Sequence, residues 1–190
     1  TIQITDSKSF YINGMRQNLV FLAKALNTLD DVNCYFLYDS KIKPKPNLYI
    51  DSELCIPILD YIKNTPFDLD IIIFGSVSLS NENFEKLKSN LPNLKLIILH
   101  CGNKLIDDIS FSIYPQEDTG PPVPPFEDVS QVWILPHHSR DIHYLKTYYR
   151  TNNVFVIPYI WESTFIKEQY KLLNNNENEL KNRFNKIDSI

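Results

Sequence analysis

The sequence predicts a Rossmann-like α/β fold with three layers, α/β/α, around a mostly parallel sheet of six or more strands. Six apolar runs of strand length recur along the chain, and most of them are followed by apolar residues at helical spacing. Two of these runs, residues 71–74 and 96–99, are apolar at every position, which is typical of strands buried on both faces. Buried strands that alternate with helices form a parallel sheet covered on both sides.

The first half of the chain opens with a strand and an amphipathic helix. The apolar residues of that helix are spaced four, three and four apart, and Asn13 precedes them as a candidate N-cap. The predicted elements here are, in order, a strand at 2–5, the helix after Asn13, a strand at 34–38, a short helix at 56–63, a strand at 70–74 that ends at Gly75, and a helix at 83–91 that ends before Pro92.

The second half repeats the alternation around a proline-rich segment. Residues 114–126 are predicted to form an extended surface loop, and Ser139 is a candidate cap for the helix after it. The predicted elements are, in order, strands at 96–99 and 131–135, a helix after Ser139, a strand at 154–157 and a helix at about 163–173. We therefore expect one domain over residues 1–173, with 174–190 as a polar linker or the start of a missing C-terminal domain.

Composition narrows the class of protein. The chain has 190 residues, of which 43% are hydrophobic, and this excludes a globally disordered protein. Its apolar runs are too short to form a transmembrane segment, and a net charge of −4 argues against a nucleic-acid partner. The three cysteines have no paired spacing and no leader-peptide pattern is visible, so we expect a cytoplasmic protein.

The candidate site lies where the predicted strands end, because ligands of open parallel sheets bind outside the carboxyl ends of the strands. Polar, aromatic and glycine residues collect at these ends. The candidates for catalysis are His100, His137 and His138, and those for substrate binding are Asp6, Asn13, Gly14, Gln17, Gly75, Gly102, Asn103, Tyr159 and Trp161.

Several of these residues have a second interpretation. Asn13 and Gly14 could be a turn with a helix cap or a backbone cradle for a phosphate or a sugar hydroxyl. The paired histidines could be loop residues, a general base, or part of a metal cluster with Asp141 and His143. Trp161 could anchor the core or cover a sugar face. Neither the dinucleotide-binding G-x-G-x-x-G pattern nor the P-loop pattern occurs.

The order of five motifs adds a family resemblance. They are Asn13-Gly14 with Gln17-Asn18, His100-Cys101-Gly102-Asn103 with Asp107, Gln131-Val132-Trp133 to Pro136-His137-His138, Tyr144-Leu145 to Tyr149-Arg150, and Val156-Ile157-Pro158-Tyr159-Ile160-Trp161. With these motifs the sequence resembles, over about residues 12–165, the N-terminal half of a GT-B-type glycosyltransferase-like family of bacteria and large DNA viruses.

The resemblance implies a two-domain enzyme with its cleft between two Rossmann-like domains. The N-terminal domain would hold a glycan or another hydroxyl-bearing acceptor and the catalytic base, for which His137 or His138 is the first candidate, His100 the second and Asp6 the third. It would contain no metal and no cofactor, and the nucleotide-sugar donor would bind the missing C-terminal domain of the full-length protein. A viral member would act in the host cytoplasm or the virion. The alternatives are a non-catalytic Rossmann-like binding or scaffold module and a metal-dependent hydrolase that uses the histidines.

Overall fold

A computed structural model describes residues 14–38, 54–75, 79–100, 128–163, 166–167 and 170–171 of the chain. The chain divides into two compact units, Thr1–Tyr159 and Ile160–Ile190. In the second unit the described positions from Ser163 onward are helical, and the amide of Ile166 donates to the carbonyl of Glu162 at 3.2 Å.

The first unit is a succession of strands and helices. In chain order its described elements are α1 (Gly14–Leu26), β1 (Phe36–Tyr38), β2 (Cys55–Pro57), α2 (Ile58–Asn64), β3 (Ile71–Phe74), α3 (Asn81–Asn90), β4 (Lys95–His100), β5 (Val129–Ile134), a 3-10 helix (Pro136–Asp141), α4 (Ile142–Tyr148) and β6 (Val154–Val156).

All described strand pairs are parallel. β1 pairs with β2, and β3, β4, β5 and β6 form a four-stranded sheet in that order. Among the described connections, α2 joins β2 to β3, α3 joins β3 to β4, and α4 joins β5 to β6. Parallel neighbours joined through helices are typical of an α/β fold. The structure therefore confirms the predicted Rossmann-like α/β class.

The main core covers one face of the four-stranded sheet. Leu96 and Ile98 point to this face from β4, as residues two apart on a strand must. Helices α2, α3 and α4 cover it with Tyr61, Phe84 and Leu145, all fully buried. Burying each of these large side chains contributes roughly 1.5–3 kcal/mol.

Helix α1 lies against the opposite face. Its Leu19 side chain approaches Gly75, which follows β3, so closely that a Cβ on Gly75 would lie 2.5 Å from Leu19 Cδ1. The exposed or half-buried Ile71 and Ile73 of β3 point to this same face. Helices therefore pack on both faces of the sheet, as the predicted three layers require.

Two predicted elements differ from the structure. Residues 55–57 form strand β2, whereas the sequence places the start of a helix at residue 56. The strand has only three residues, too few for a recognisable alternation. Ser139 does not cap a helix, because it lies inside the 3-10 helix, and the residue that precedes α4 is Asp141.

The six-stranded sheet is matched only in part. The described strands form a two-stranded and a four-stranded sheet, and the predicted strand at 2–5 and the proline-rich loop at 114–126 lie outside the described residues. Within the described part of the chain, no helix has the length and apolar character needed to cross a membrane.

Candidate functional site

Three neighbouring strands end at the same level of the sheet. The register pairs His100, the last residue of β4, with Ile134 of β5, and Ile134 with Val156 of β6. The segments that leave these strands therefore begin side by side at the carboxyl edge. This is why residues distant in sequence meet there.

His100 is fully buried beneath that edge. It shares the core-facing side of β4 with Ile98, and its Nε2 lies 2.7 Å from the hydroxyl of Tyr149, at the end of α4. The two rings meet edge to face, with centroids 5.4 Å apart. In this position His100 supports the floor of the site and makes no contact with solvent.

His138 and Asp141 form a pair within the 3-10 helix. A 3-10 helix has three residues per turn, so side chains three apart are stacked one above the other. The distance from His138 Nδ1 to Asp141 Oδ2 is 3.2 Å, and His138 is only 8% exposed. Because a carboxylate only accepts hydrogen bonds, Nδ1–H donates to Asp141, and in the neutral ring the basic lone pair is on Nε2.

His137 lies at the surface next to this pair. Its ring centroid is 4.0 Å from that of His138, and its Nδ1 lies 2.5 Å from the hydroxyl of Tyr159, three residues beyond β6. Both His137 and Tyr159 are exposed. We call His100, His137, His138, Asp141, Tyr149 and Tyr159 together the histidine cluster.

The cluster has the parts of a proton-transfer site. A buried imidazole oriented by a carboxylate is a common form of general base, since the carboxylate fixes the tautomer and stabilises the imidazolium that forms. The ring centroids of His100 and His138 are 6.4 Å apart. The buried His100–Tyr149 pair therefore lies beneath the His138–Asp141 dyad and supports it. The arrangement can accept a proton from a hydroxyl group that reaches His138.

The metal interpretation gains no support from the described residues. Among them, no three His, Cys, Asp or Glu side chains come together in a group that could hold a metal ion. His143 lies on the exposed side of α4, and its carbonyl accepts a hydrogen bond from Thr147 Oγ1 at 3.1 Å.

The other predicted site residues are dispersed. Gly14 is the exposed first residue of α1, Gln17 is buried on the same helix, and Gly75 is buried against Leu19. Trp161 belongs to the second unit and is 56% exposed. Four further candidates lie outside the described residues, namely Asp6, Asn13, Gly102 and Asn103.

Sequence reasoning named Asp141 only as a possible metal partner of the paired histidines, and it did not place Tyr149 among the site residues. The spacing of three between His138 and Asp141 directly after Pro136 is a local signal, because a proline at the start of a short helix favours a tight first turn. No local signal connects Tyr149 with His100, which is 49 residues earlier.

A cavity of about 590 Å³ lies on the side of the sheet that faces α1. It is lined by the carboxyl half of α1, by residues 31–37 and 67–73, which include residues of β1 and β3, and by Trp133. Burial raises the pKa of the Cys34 thiol in its wall. Of the predicted catalytic and binding residues that the structure describes, none lines this cavity.

A protein-family model matches almost the whole chain. Residues 1–186 match the model of DUF2827, which is described as a protein of unknown function. The chain belongs to the DUF2827 family. No curated protein and no solved structure matches it.

Proposed function

We propose that this DUF2827 chain is the acceptor-side domain of a GT-B-type glycosyltransferase. The observation that carries the proposal is the His138–Asp141 pair directly after β5, at the edge where parallel α/β sheets bind their ligands. The order of motifs along the chain, which resembles GT-B-type proteins, adds support. Donor binding is assigned to a further domain.

In this proposal His138 is the general base of an inverting transfer. Its Nε2 takes the proton from the acceptor hydroxyl while the oxygen forms a bond to the anomeric carbon of the donor sugar. The bond from that carbon to the diphosphate oxygen breaks, and the nucleoside diphosphate leaves with the electron pair. Asp141 accepts the Nδ1–H hydrogen bond throughout and stabilises the imidazolium.

The other members of the cluster have supporting roles. His137 is exposed and bonded to Tyr159, so it lies where an acceptor can reach it. His100 is fully buried, and its bond to Tyr149 assigns it to the support of the dyad rather than to contact with the acceptor. Of the three histidines predicted as catalytic, His138 is therefore our base.

Enzyme assays on the product of the complete gene test the proposal. We expect turnover of at least one member of a panel of nucleotide sugars, measured by release of nucleoside diphosphate. His138→Ala should lower kcat by at least ~10²-fold, the usual contribution of general base catalysis. Asp141→Asn should lower kcat by at least ~10-fold, because the amide lacks the charge that stabilises the imidazolium.

The matched control is His143→Ala, which removes an exposed histidine from the neighbouring helix. It should leave kcat unchanged. All variants are compared only after their thermal unfolding midpoints have been shown to agree with that of the unmodified protein. The proposal fails if no nucleotide sugar is turned over, or if His138→Ala retains full activity.

A further inference from the structure

His137 and Tyr159 form a flat plate of two rings. Their planes differ by 11°, and their centroids are 5.9 Å apart. His137 Nδ1 and the Tyr159 hydroxyl oxygen each lie in the plane of their own ring, and they are 2.5 Å apart. The two planes can therefore be offset by no more than that distance, which is less than the roughly 3.5–4.0 Å that separates groups in face-to-face contact.

The rings consequently lie side by side rather than one above the other. The hydrogen bond runs along the plate and locks the two rings together. Tyr159 is 44% exposed and His137 is also exposed, so much of the plate is open to solvent. An exposed aromatic surface that is fixed in orientation costs little conformational entropy on binding.

The plate adjoins the proposed base. The ring of His137 lies 4.0 Å, centroid to centroid, from the ring of His138, and the interplanar angle between them is 46°. Centroids this close place the His138 ring against one face of the His137 ring. A flat ligand that packs on the same side of the Tyr159 ring would have its edge next to the His138–Asp141 pair. The hydrogen-bonding atoms of the plate lie along its rim, while its faces are apolar.

A sugar ring matches this chemistry. A pyranose has one face of C–H groups, which packs on an aromatic ring, and a rim of hydroxyl groups, which needs polar partners. A lipid chain has no hydroxyl groups that could bond to the polar rim.

We infer that the His137–Tyr159 plate binds a sugar ring of the acceptor, so that the acceptor is a saccharide rather than a lipid or protein hydroxyl. The role of this saccharide as an acceptor rests on the proposed function. The binding itself is independent of any transfer reaction. The plate places a ring hydroxyl of the saccharide beside His138.

Binding measurements on the 190-residue chain test the inference without turnover. The probes are cello-, chito-, malto- and xylo-oligosaccharides, with uridine and adenosine as nucleobase probes, and binding is measured by saturation-transfer NMR and by titration. We expect one oligosaccharide series to bind and Tyr159→Ala to weaken it by about tenfold or more, since half of the plate is lost. Tyr159→Phe retains the ring and removes the hydrogen bond to His137, so it should weaken binding less than Tyr159→Ala.

Tyr144→Ala is the matched control. Tyr144 is a comparably exposed tyrosine, 38% accessible, and it lies parallel to Tyr148 on α4 rather than in the plate. Its removal should leave saccharide affinity unchanged. The inference is overturned if no oligosaccharide binds, if a nucleoside binds in preference, or if Tyr159→Ala binds saccharide as tightly as the unmodified chain.

These outcomes are separable from those of the proposed function. If saccharide binding depends on Tyr159 but the complete gene product turns over no nucleotide sugar, the plate is a saccharide site and the proposed transferase function is refuted. If the enzyme transfers a sugar to a non-saccharide acceptor with a KM that Tyr159→Ala does not change, the transferase function is supported and saccharide binding by the plate is refuted.

Discussion

Gly75→Ala tests whether Gly75 is kept small by the packing of α1. The added methyl carbon would lie 2.5, 3.0 and 3.1 Å from three side-chain carbons of Leu19. Carbon atoms in ordinary contact are about 3.5–4.0 Å apart, so Leu19 has to move by about 1 Å. Leu19 is only 6% exposed, but it also lines the cavity of about 590 Å³, so its side chain has space into which it can move. We therefore expect a loss of about 1 kcal/mol in the free energy of unfolding, at the lower end of the usual cost of overpacking.

The assay is urea denaturation followed by circular dichroism, with a double-mutant cycle. Leu19→Ala alone should cost about 2–5 kcal/mol as a buried leucine truncation. In the Leu19→Ala background the methyl group of Gly75→Ala has no side chain to displace, so its cost should vanish. The expected coupling between the two sites is about 1 kcal/mol.

Gly14→Ala is the control, because no heavy atom of the described residues, apart from its chain neighbours and the backbone of its own helix, lies within 4 Å of the position that its Cβ would occupy. Gly14 is the first residue of α1, and alanine is favoured over glycine in helices by up to about 1 kcal/mol. This change should be neutral or stabilising. If Gly75→Ala is as harmless as Gly14→Ala, or if its cost persists without Leu19, packing is not the reason for a glycine, and binding of a ligand at Gly75 becomes the better explanation.

Three further changes test other contacts. Ser80→Ala removes the oxygen that accepts a hydrogen bond from the Asn83 amide at 3.3 Å; unfolding should show a loss of about 1 kcal/mol that Ser80→Asp restores. Lys88→Met breaks a 2.7 Å ion pair with Asp128, and the expected loss of about 0.5–1 kcal/mol should shrink in high salt, whereas a salt-independent loss would contradict a charge effect. Burial raises the pKa of the Cys34 thiol, so less of it is in the reactive thiolate form. Its rate of alkylation, measured by peptide mass spectrometry, should therefore be lower at about pH 8 than that of an unstructured cysteine peptide, and it should rise only at higher pH. Equal rates would refute this.

The predicted elements agree with the structure where the apolar pattern is long. Strand β4 extends the predicted 96–99 by one residue at each end, and α3 begins two residues before the predicted helix because Ser80 is its cap. Strand β2 is only three residues long, and it is a strand because it pairs with β1. Since β1 lies far from it in sequence, no local pattern of residues predicts this pairing.

The candidate site was only partly predictable. Strand order and the rule that ligands meet carboxyl ends are enough to place His100, His137 and Tyr159 at one edge. They do not distinguish a buried histidine from an exposed one. For His100 the alternation of side chains along β4 shows that it is buried, because residues 96, 98 and 100 point to the same, core-facing side of the strand.

By itself, the sequence determined the α/β class, the parallel sheet and the edge at which polar residues collect, because these follow from periodicities that are local. Only the tertiary structure decided what each histidine does. His100 is bound to Tyr149 in the core, His138 to Asp141 in a tight turn, and the exposed His137 to a residue beyond the next strand. These partners are set by strand register and by the turn that follows β5. A side chain's chemistry depends on its neighbours in space, and those neighbours exist only once the chain is folded.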